Sequence, residues 1–209
     1  NGKLICNNSH EQYLPDINRI DSGEVFLFWS DGHNDTGASS LIMQILDVNG
    51  TELLPENGED VFSGITGSAL NVHVLENGSS SVILWEDYRG YAKNQILMQS
   101  LNNDGSVNLE QNGVPVSPPT SSSYNTLNLQ TAKNSNADEF CVVWREIGDS
   151  YNYQTFAQIM QIDGTQLGPP EGLLLSDTEI HDQENQHISC INNNGSIEYY
   201  AGWSEARVS

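Results

Sequence analysis

The chain has 209 residues, with 28 Asp and Glu against 7 Lys and Arg, and a formal net charge of −21 at pH 7. This length allows one domain of ordinary size or one array of repeats. The acidic balance argues against nucleic acid and anionic membrane surfaces as partners, because their phosphates attract a basic face. The longest apolar runs, such as Val25–Trp29, have only about six residues, whereas a transmembrane helix needs about 20.

The predicted elements repeat along the chain, and four tryptophans mark the repeat. Each closes a short apolar run, at Trp29, Trp85, Trp144 and Trp203, with spacings of 56, 59 and 59 residues. An acid stands two positions after each of them, at Asp31, Asp87, Glu146 and Glu205. A glutamine in a second apolar run follows the first three tryptophans, at Gln44, Gln99 and Gln158. Landmarks that recur in the same order indicate an internal repeat.

Glycine turns complete the repeat and set its boundaries. The second apolar run ends in an Asn-Gly or Asp-Gly pair, and a further Asn-Gly or Glu-Gly pair opens the next unit, at Asn57, Asn112 and Glu171. The predicted units are 1–56, 57–111, 112–170 and a truncated 171–209, within one domain. Each unit reads as an inner strand, the tryptophan strand, the glutamine strand and a short last strand, with hairpin turns at the glycines.

The tryptophan runs are apolar at consecutive positions, which is typical of strands covered on both faces. Four-stranded antiparallel sheets of about 55 residues, repeated and buried on both faces, predict an all-β protein of β-propeller blades. Another β-repeat array is the alternative. The sequence accounts for about three and a half blades, so we expect it to be part of a larger ring. The last tryptophan strand should then lie beside a chain that these 209 residues do not supply.

The second unit carries a motif of its own. It contains Trp85, Asp87 and Arg89, then Gln99 within Ile-Leu-Met-Gln-Ser-Leu, then Asn-Gly-Val-Pro-Val from Asn112. This pattern resembles the W-x-D-x-R … I-x-x-Q-x-L … N-G-V-x-V repeat of secreted, propeller-like bacterial proteins of Bacteroidetes type, which often carry a type IX secretion signal. The resemblance covers essentially the whole chain and implies a secreted or cell-surface location. It does not imply an activity.

Three cysteines, Cys6, Cys141 and Cys190, lack the even number and close spacing of a disulfide framework. We expect three free thiols; one bridge with a leftover thiol is the alternative. No cofactor is indicated. Asp31 and Asp35 are candidate metal ligands, although neither a calcium nor a zinc spacing is matched and a solvated turn is the competing interpretation. The charge also predicts weak, diffuse calcium binding.

If the blades surround an axis, the acids after the tryptophans form a ring on one rim. They could be a ligand site, or they could simply end the strands, as a pairing of Asp87 with Arg89 would suggest. Gln44, Gln99 and Gln158 should satisfy buried backbone groups or bridge blades, since a buried amide must be hydrogen-bonded. The inner strands line a propeller's channel, so His73 and His187 are candidates for a shared polar funnel. Ordinary packed or solvated imidazoles are the alternative.

No nucleophile elbow, phosphate-binding loop or zinc-protease motif occurs. The sequence therefore favours a non-catalytic extracellular binding or scaffold module that contacts a glycan or a protein. Candidate contacts lie in two tyrosine-containing loops, at Tyr124, Tyr151 and Tyr153. The alternative is a fragment of a secreted polysaccharide hydrolase or lyase with acids at the funnel. Other expected partners are the remainder of a longer parent chain or a neighbouring copy.

Overall fold

The structure is a computed structural model and describes residues 2–20, 23–32, 39–62, 68–78, 80–88, 94–119, 127–134, 138–147, 153–176 and 183–205. Its described residues form fourteen strands in four antiparallel sheets. The first sheet contains β1 (Gln12–Arg19), β2 (Val25–Asp31), β3 (Ser40–Leu46) and β4 (Glu59–Asp60). The second contains β5 (Ala69–Asn77), β6 (Ser80–Asp87), β7 (Gln95–Asn102) and β8 (Val114–Pro115).

The third sheet contains β9 (Gln130–Lys133), β10 (Glu139–Ile147), β11 (Tyr153–Gln161) and β12 (Leu173–Leu174). The fourth has two described strands, β13 (Gln183–Asn193) and β14 (Ser196–Glu205). Strands follow chain order in every sheet. The predicted all-β architecture of four-stranded antiparallel sheets is thereby confirmed. Among the described residues there is no helix able to cross a membrane.

The sheets end slightly later than the predicted units. The strands β4, β8 and β12 follow the second glycine pair of each unit, yet they pair with β3, β7 and β11 of the preceding sheet. Each sheet therefore extends past the expected boundaries at residues 57, 112 and 171. The stretch after the first glycine turn forms only an isolated bridge, such as Leu46 with Glu52. The first inner strand, β1, begins at Gln12 and runs for 8 residues.

The core lies between the sheets. One apolar cluster joins the first and second sheets, a second joins the second and third, and a third and smaller one joins the third and fourth. The tryptophan strand of the second sheet is covered on both faces: the residues from Val82 to Trp85 are all fully buried. Phe62, just after β4, packs on Trp85 of the next sheet with tilted rings and ring centroids 4.3 Å apart. Trp85 and Trp144 thus belong to the clusters that join their sheets to the preceding ones.

The fourth tryptophan strand differs from the other three. Tyr200 is 52% and Trp203 36% exposed, and the structure pairs β14 only with β13 among the described residues. Residues 2–8 do not pair with this sheet. They lie along the first sheet, where the Lys3 Nζ donates to the Gly50 carbonyl at 2.6 Å and pairs with Glu52 at 3.1 Å.

The first strands of the sheets converge. β1 contacts β5, β5 contacts β9, and β9 contacts β13, although they belong to four different sheets. These inner strands therefore surround a common axis. The start of each inner strand lies at the same rim as the end of its tryptophan strand, as shown by the pairing of Gln12 with Asp31 and of Ala69 with Asp87. This rim carries the candidate site.

Candidate functional site

Each inner strand region contains one residue with left-handed backbone. They are Leu14 (φ 52°), Asn71 (φ 50°), Asn128 (φ 48°) and Asn185 (φ 54°), at intervals of 57 residues. The strand register shifts at this point in β1, β5 and β13, which marks a β-bulge. Asparagine tolerates this conformation better than other non-glycine residues, whereas leucine does so at a cost of about 1–2 kcal/mol. Bulges re-aim the following side chains and are frequent next to functional sites.

Three of these left-handed residues, Leu14, Asn71 and Asn128, line one cavity of about 450 Å³. We call it the axial cavity. Three consecutive residues from each of three inner strand regions line it: Leu14, Pro15, Asp16, Asn71, Val72, His73, Asn128, Leu129 and Gln130. The residue two places after the left-handed one is Asp16, His73 or Gln130. These three equivalent positions thus share the same backbone conformation but carry different side chains.

Side chains of the axial cavity connect successive inner strands. Asp16 Oδ2 accepts the backbone N–H of Val74 at 3.2 Å. Thr131 Oγ1 and His73 Nδ1 lie 3.5 Å apart, which is the equivalent contact one sheet further on. The Asn128 side-chain amide donates to Gln186 Oε1 at 3.2 Å. These bonds hold the cavity wall together, because each crosses between neighbouring sheets.

The imidazole of His73 is the central titratable group of this wall. It is half-buried, and burial lowers its pKa below the usual value. The negative charges of Asp16 and Glu86 act in the opposite sense, but they are the smaller causes. The lowered pKa favours a neutral imidazole, with one donor and one acceptor nitrogen.

Glu86 lies behind the cavity and is fully buried. Its Oε2 accepts the Tyr88 hydroxyl at 2.6 Å and the N–H of Leu127 at 3.3 Å, and its Oε1 accepts the N–H of Leu129 at 3.3 Å. Burial and this carboxylate together raise the pKa of the Tyr88 hydroxyl. The two backbone bonds hold the segment that carries Asn128, so Glu86 positions one side of the axial cavity.

The predicted pair of histidines is not brought together at one cavity. His73 lines the axial cavity, whereas His187 stands at the equivalent place of β13, is exposed, and is not among the lining residues. Its position follows the same geometry, because it comes two residues after the left-handed Asn185. The funnel expected from the sequence is represented in the described residues by Asp16, His73 and Gln130.

The acids after the tryptophans are embedded in their own sheets. Asp31 is fully buried, and its Oδ2 accepts the side-chain amides of Gln12 and Asn8, each at 3.4 Å. Asp87 is 4% exposed. Glu146 accepts the Trp144 indole N–H at 2.7 Å, while burial raises the pKa of its carboxyl. Asp31 and Asp87 are thus buried, whereas Glu146 and Glu205 are partly exposed.

Other predicted positions fall partly outside the described residues. Asp35, Arg89, Tyr124 and Tyr151 all lie there, so the metal pair with Asp31 and the pairing of Asp87 with Arg89 stay predictions. Tyr153 opens β11 and carries the Arg145 guanidinium 4.2 Å above its ring centre. The described residues contain no cluster of three or more His, Cys, Asp or Glu able to hold a metal ion. The three cysteines are free in this structure.

The repeated glutamines are buried and bond the backbone of their own sheet. Gln99 Oε1 accepts the N–H of Ser100 at 2.9 Å and of Leu109 at 2.8 Å, and its amide donates to the Glu110 carbonyl at 2.8 Å. Gln44 and Gln158 make the same set of bonds at equivalent positions. They join the glutamine strand to the loop before the last strand, and none of these bonds bridges two sheets.

Sequence reasoning missed most of the cavity wall. Asp16, Gln130 and Glu86 have no motif, and the left-handed asparagines lie in unremarkable stretches. Two signals were available. The spacing of 57 residues places Asn71, Asn128 and Asn185 in one alignment, and the residue after the tryptophan is Glu86 in the second unit but Ser30, Arg145 and Ser204 in the others. This difference between the units is the signal that could have pointed to Glu86.

Comparison with solved structures identifies the architecture. An α-L-arabinofuranosidase from Lactobacillus brevis matches with a TM-score of 0.52 at 14% identity, covering 91% of this chain and 65% of that one. A GH93 α-L-arabinofuranosidase of Fusarium graminearum, in complex with arabinobiose, matches with 0.53 at 12% identity, covering 92% and 64%. The fold is a β-propeller.

An endo-arabinase from Bacteroides thetaiotaomicron gives a TM-score of 0.51 at 13% identity, covering 93% of this chain and 75% of that one. This chain spans just under two thirds, 65% and 64%, of the length of the two arabinofuranosidases. At these identities the likeness shows the fold alone. Neither a protein-family model nor a curated protein sequence matches the chain.

Proposed function

We propose that this propeller acts on a polysaccharide and that a sugar unit binds in the axial cavity. The observation that carries the proposal is the cavity itself. Its wall combines one carboxylate, one imidazole and three amides with apolar surface from Leu14 and Pro15. A few convergent polar groups on a partly apolar concave wall are the usual composition of a small-ligand site. Amides both donate and accept, as sugar hydroxyls do.

The fold comparison supports the choice of a polysaccharide. The similar propellers are two arabinofuranosidases and an endo-arabinase, and one of them was solved with arabinobiose. Fold alone does not transmit an activity. The likeness nevertheless favours a hydrolase over a protein-binding scaffold, and arabinan fragments are the first ligands to try.

In a hydrolase, Asp16 would be the carboxylate that reaches the substrate. It lies on the cavity wall, whereas Glu86 is fully buried and already accepts three hydrogen bonds. Glycoside hydrolysis needs two carboxyl groups about 5 to 9.5 Å apart, one of them as general acid. The described part of the wall contributes only Asp16. Asp16 suits the role of base or nucleophile, because its charge is held by backbone donors.

A non-catalytic glycan-binding module is the second candidate, and the single carboxylate favours it. The amides of Asn71, Asn128 and Gln130 bind a sugar without chemistry. In this case Asp16 serves as a hydrogen-bond acceptor for a hydroxyl. An extracellular location belongs to both candidates, since their ligand is a polysaccharide.

Release of reducing sugar from linear arabinan, together with calorimetric titration of arabino-oligosaccharides, tests both candidates. A hydrolase releases sugar, and Asp16→Asn abolishes release while binding persists. A binding module binds the oligosaccharides and releases none. Asp60→Asn, on the exposed outer strand β4, is the matched control and leaves both measurements unchanged. Absence of binding and of release across arabinan and other plant and microbial polysaccharides would contradict the proposal.

A further inference from the structure

We infer that the axial cavity is selective for neutral sugars and rejects uronic acids. The inference rests on the proposed function, because it concerns the charge of the glycan that the cavity takes. The distribution of charge around the cavity wall supports it. The inference divides polysaccharides into two classes whose binding can be compared. Neutral pentosans and hexosans fall on one side, and polyuronides on the other.

The wall carries one fixed negative charge at its surface. Asp16 Oδ1 accepts the N–H of Ile17 at 2.8 Å, and Oδ2 accepts the N–H of Val74 at 3.2 Å. One carboxylate oxygen is thus anchored to its own strand and the other to the neighbouring sheet. A carboxylate held in this way cannot swing aside for an incoming anion. A uronate carboxylate that enters the cavity therefore meets a like charge of fixed position.

A second negative charge stands directly behind the wall. Glu86 is fully buried and acts electrostatically on His73, as Asp16 does. The imidazole of His73 lies on the cavity wall within reach of the charges of both acids. Buried charges are screened by salt much less than exposed ones. Asp16 and Glu86 therefore both make the electrostatic potential in the cavity negative.

No basic side chain compensates these acids among the described lining residues. Lys133 lies three positions beyond Gln130 on β9, where it interacts with Glu76 and Asp138. Two acids therefore act on this one cation. In the whole sequence, 28 acids face 7 bases. Recognition of a sugar carboxylate normally uses Arg or Lys, and the described wall offers neither.

The remaining wall suits hydroxyl groups. Asn71, Asn128 and Gln130 present amides from left-handed or bulge-adjacent positions, and Leu14 and Pro15 give an apolar patch for the C–H face of a sugar ring. All of these contacts are indifferent to the charge of the ligand, so they supply affinity to neutral and anionic sugars alike. The negative charges of Asp16 and Glu86 then make the affinity for neutral sugars higher than that for anionic sugars.

Calorimetric titration compares a neutral arabinotetraose with tetragalacturonic acid, at neutral pH, in EDTA so that no divalent ion bridges two carboxylates. We expect the neutral ligand to bind at least about tenfold more tightly. This ratio of affinities should shrink as NaCl is raised, because salt screens the repulsion between the uronate carboxylates and Asp16 on the cavity surface. Asp16→Asn should raise the affinity for tetragalacturonic acid relative to arabinotetraose by about threefold or more. Asp60→Asn is the control and keeps the wild-type ratio.

Two results separate the inference from the proposed function. If tetragalacturonic acid binds as tightly as the neutral ligand, or if Asp16→Asn leaves the ratio unchanged, the charge selectivity is wrong while glycan binding stands. If neither ligand binds and a panel of neutral polysaccharides also gives no heat, both the proposed function and the inference fail.

Discussion

The indole ring of Trp144 lies against the backbone of Gly172, so that a Cβ atom at Gly172 would stand 2.6 Å from Trp144 Cη2. Gly172 also has a φ of +81°, in the region that glycine occupies without strain. Gly58 and Gly113 meet Trp29 and Trp85 in the same manner. The second glycine turn and the tryptophan of a unit are therefore one packing device, which explains why they recur together.

Replacement of Gly172 by alanine tests this device. We expect a loss of about 3 kcal/mol in the free energy of unfolding, because the methyl group meets the indole ring in addition to the left-handed strain. Gly50→Ala is the matched control: its φ is +78° and nothing lies within 4 Å of the added methyl group, so its cost should stay near about 1 kcal/mol. Urea denaturation measures both. Equal losses would show that the ring contact contributes nothing.

The buried glutamines lead to a second prediction. Gln99→Leu removes the partners of three backbone groups: the N–H of buried Ser100, the N–H of half-buried Leu109 and the carbonyl of exposed Glu110. A buried group left without a partner costs about 1–3 kcal/mol, so we expect about 2 kcal/mol of lost stability. The exposed Gln111→Leu should change stability by no more than about 0.5 kcal/mol. A loss at Gln99 as small as that at Gln111 would contradict the role assigned to the glutamine.

How much of this structure the sequence could predict depends on whether a residue repeats. Trp85 and Gln99 repeat, and their strands were expected from apolar runs that need cover on both faces; Val82 to Trp85 are indeed fully buried. The end of each sheet was misplaced, because a Gly pair marks a turn but does not tell which sheet the next two residues join. The pairing of β4 with β3 is decided by tertiary contacts and not by the local sequence.

The site was harder to predict for the same reason. Functional side chains vary between units at constant backbone, as Asp16, His73 and Gln130 do, so a search for repeated residues passes over them. His73 was singled out as a histidine on an inner strand, but its neighbours Asp16 and Glu86 come from other strands. The approach of Asp16 to His73 depends on how two sheets pack, which no local pattern encodes.

Glu86 offers a test of how the cavity wall is held. In Glu86→Gln one oxygen acceptor is replaced by an NH₂ donor, so an N–H of Leu127 or Leu129 loses a charged partner. We expect a loss of about 1–2 kcal/mol in stability and a weaker affinity for arabino-oligosaccharides, because Asn128 lies between the two anchored residues. Glu110→Gln, at an exposed position, is the control. Unchanged affinity in Glu86→Gln would restrict Glu86 to a stabilising role.

The net charge of −21 predicts a response to divalent cations. Excess negative charge destabilises the compact state through self-repulsion, and weak calcium binding relieves it. We expect the melting temperature to rise by a few degrees from EDTA to millimolar calcium, with sodium chloride at equal ionic strength giving a smaller rise. An identical midpoint in EDTA and calcium would overturn this expectation.

The pH dependence of stability should report on His73. Burial lowers its pKa in the folded state, so on acidification the unfolded chain takes up this proton first. The stability that neutral His73 contributes is therefore complete above the unfolded pKa of about 6.5 and is lost as pH falls through the folded value. We expect His73→Gln to flatten the stability curve of the wild type between about pH 7 and pH 5. Urea midpoints at several pH values measure this slope, and the imidazole resonances followed by NMR give the pKa directly. Parallel curves for the two proteins would show that Asp16 and Glu86 cancel the effect of burial on the His73 pKa, and a His73 resonance that titrates above about 6.5 would show that they outweigh it.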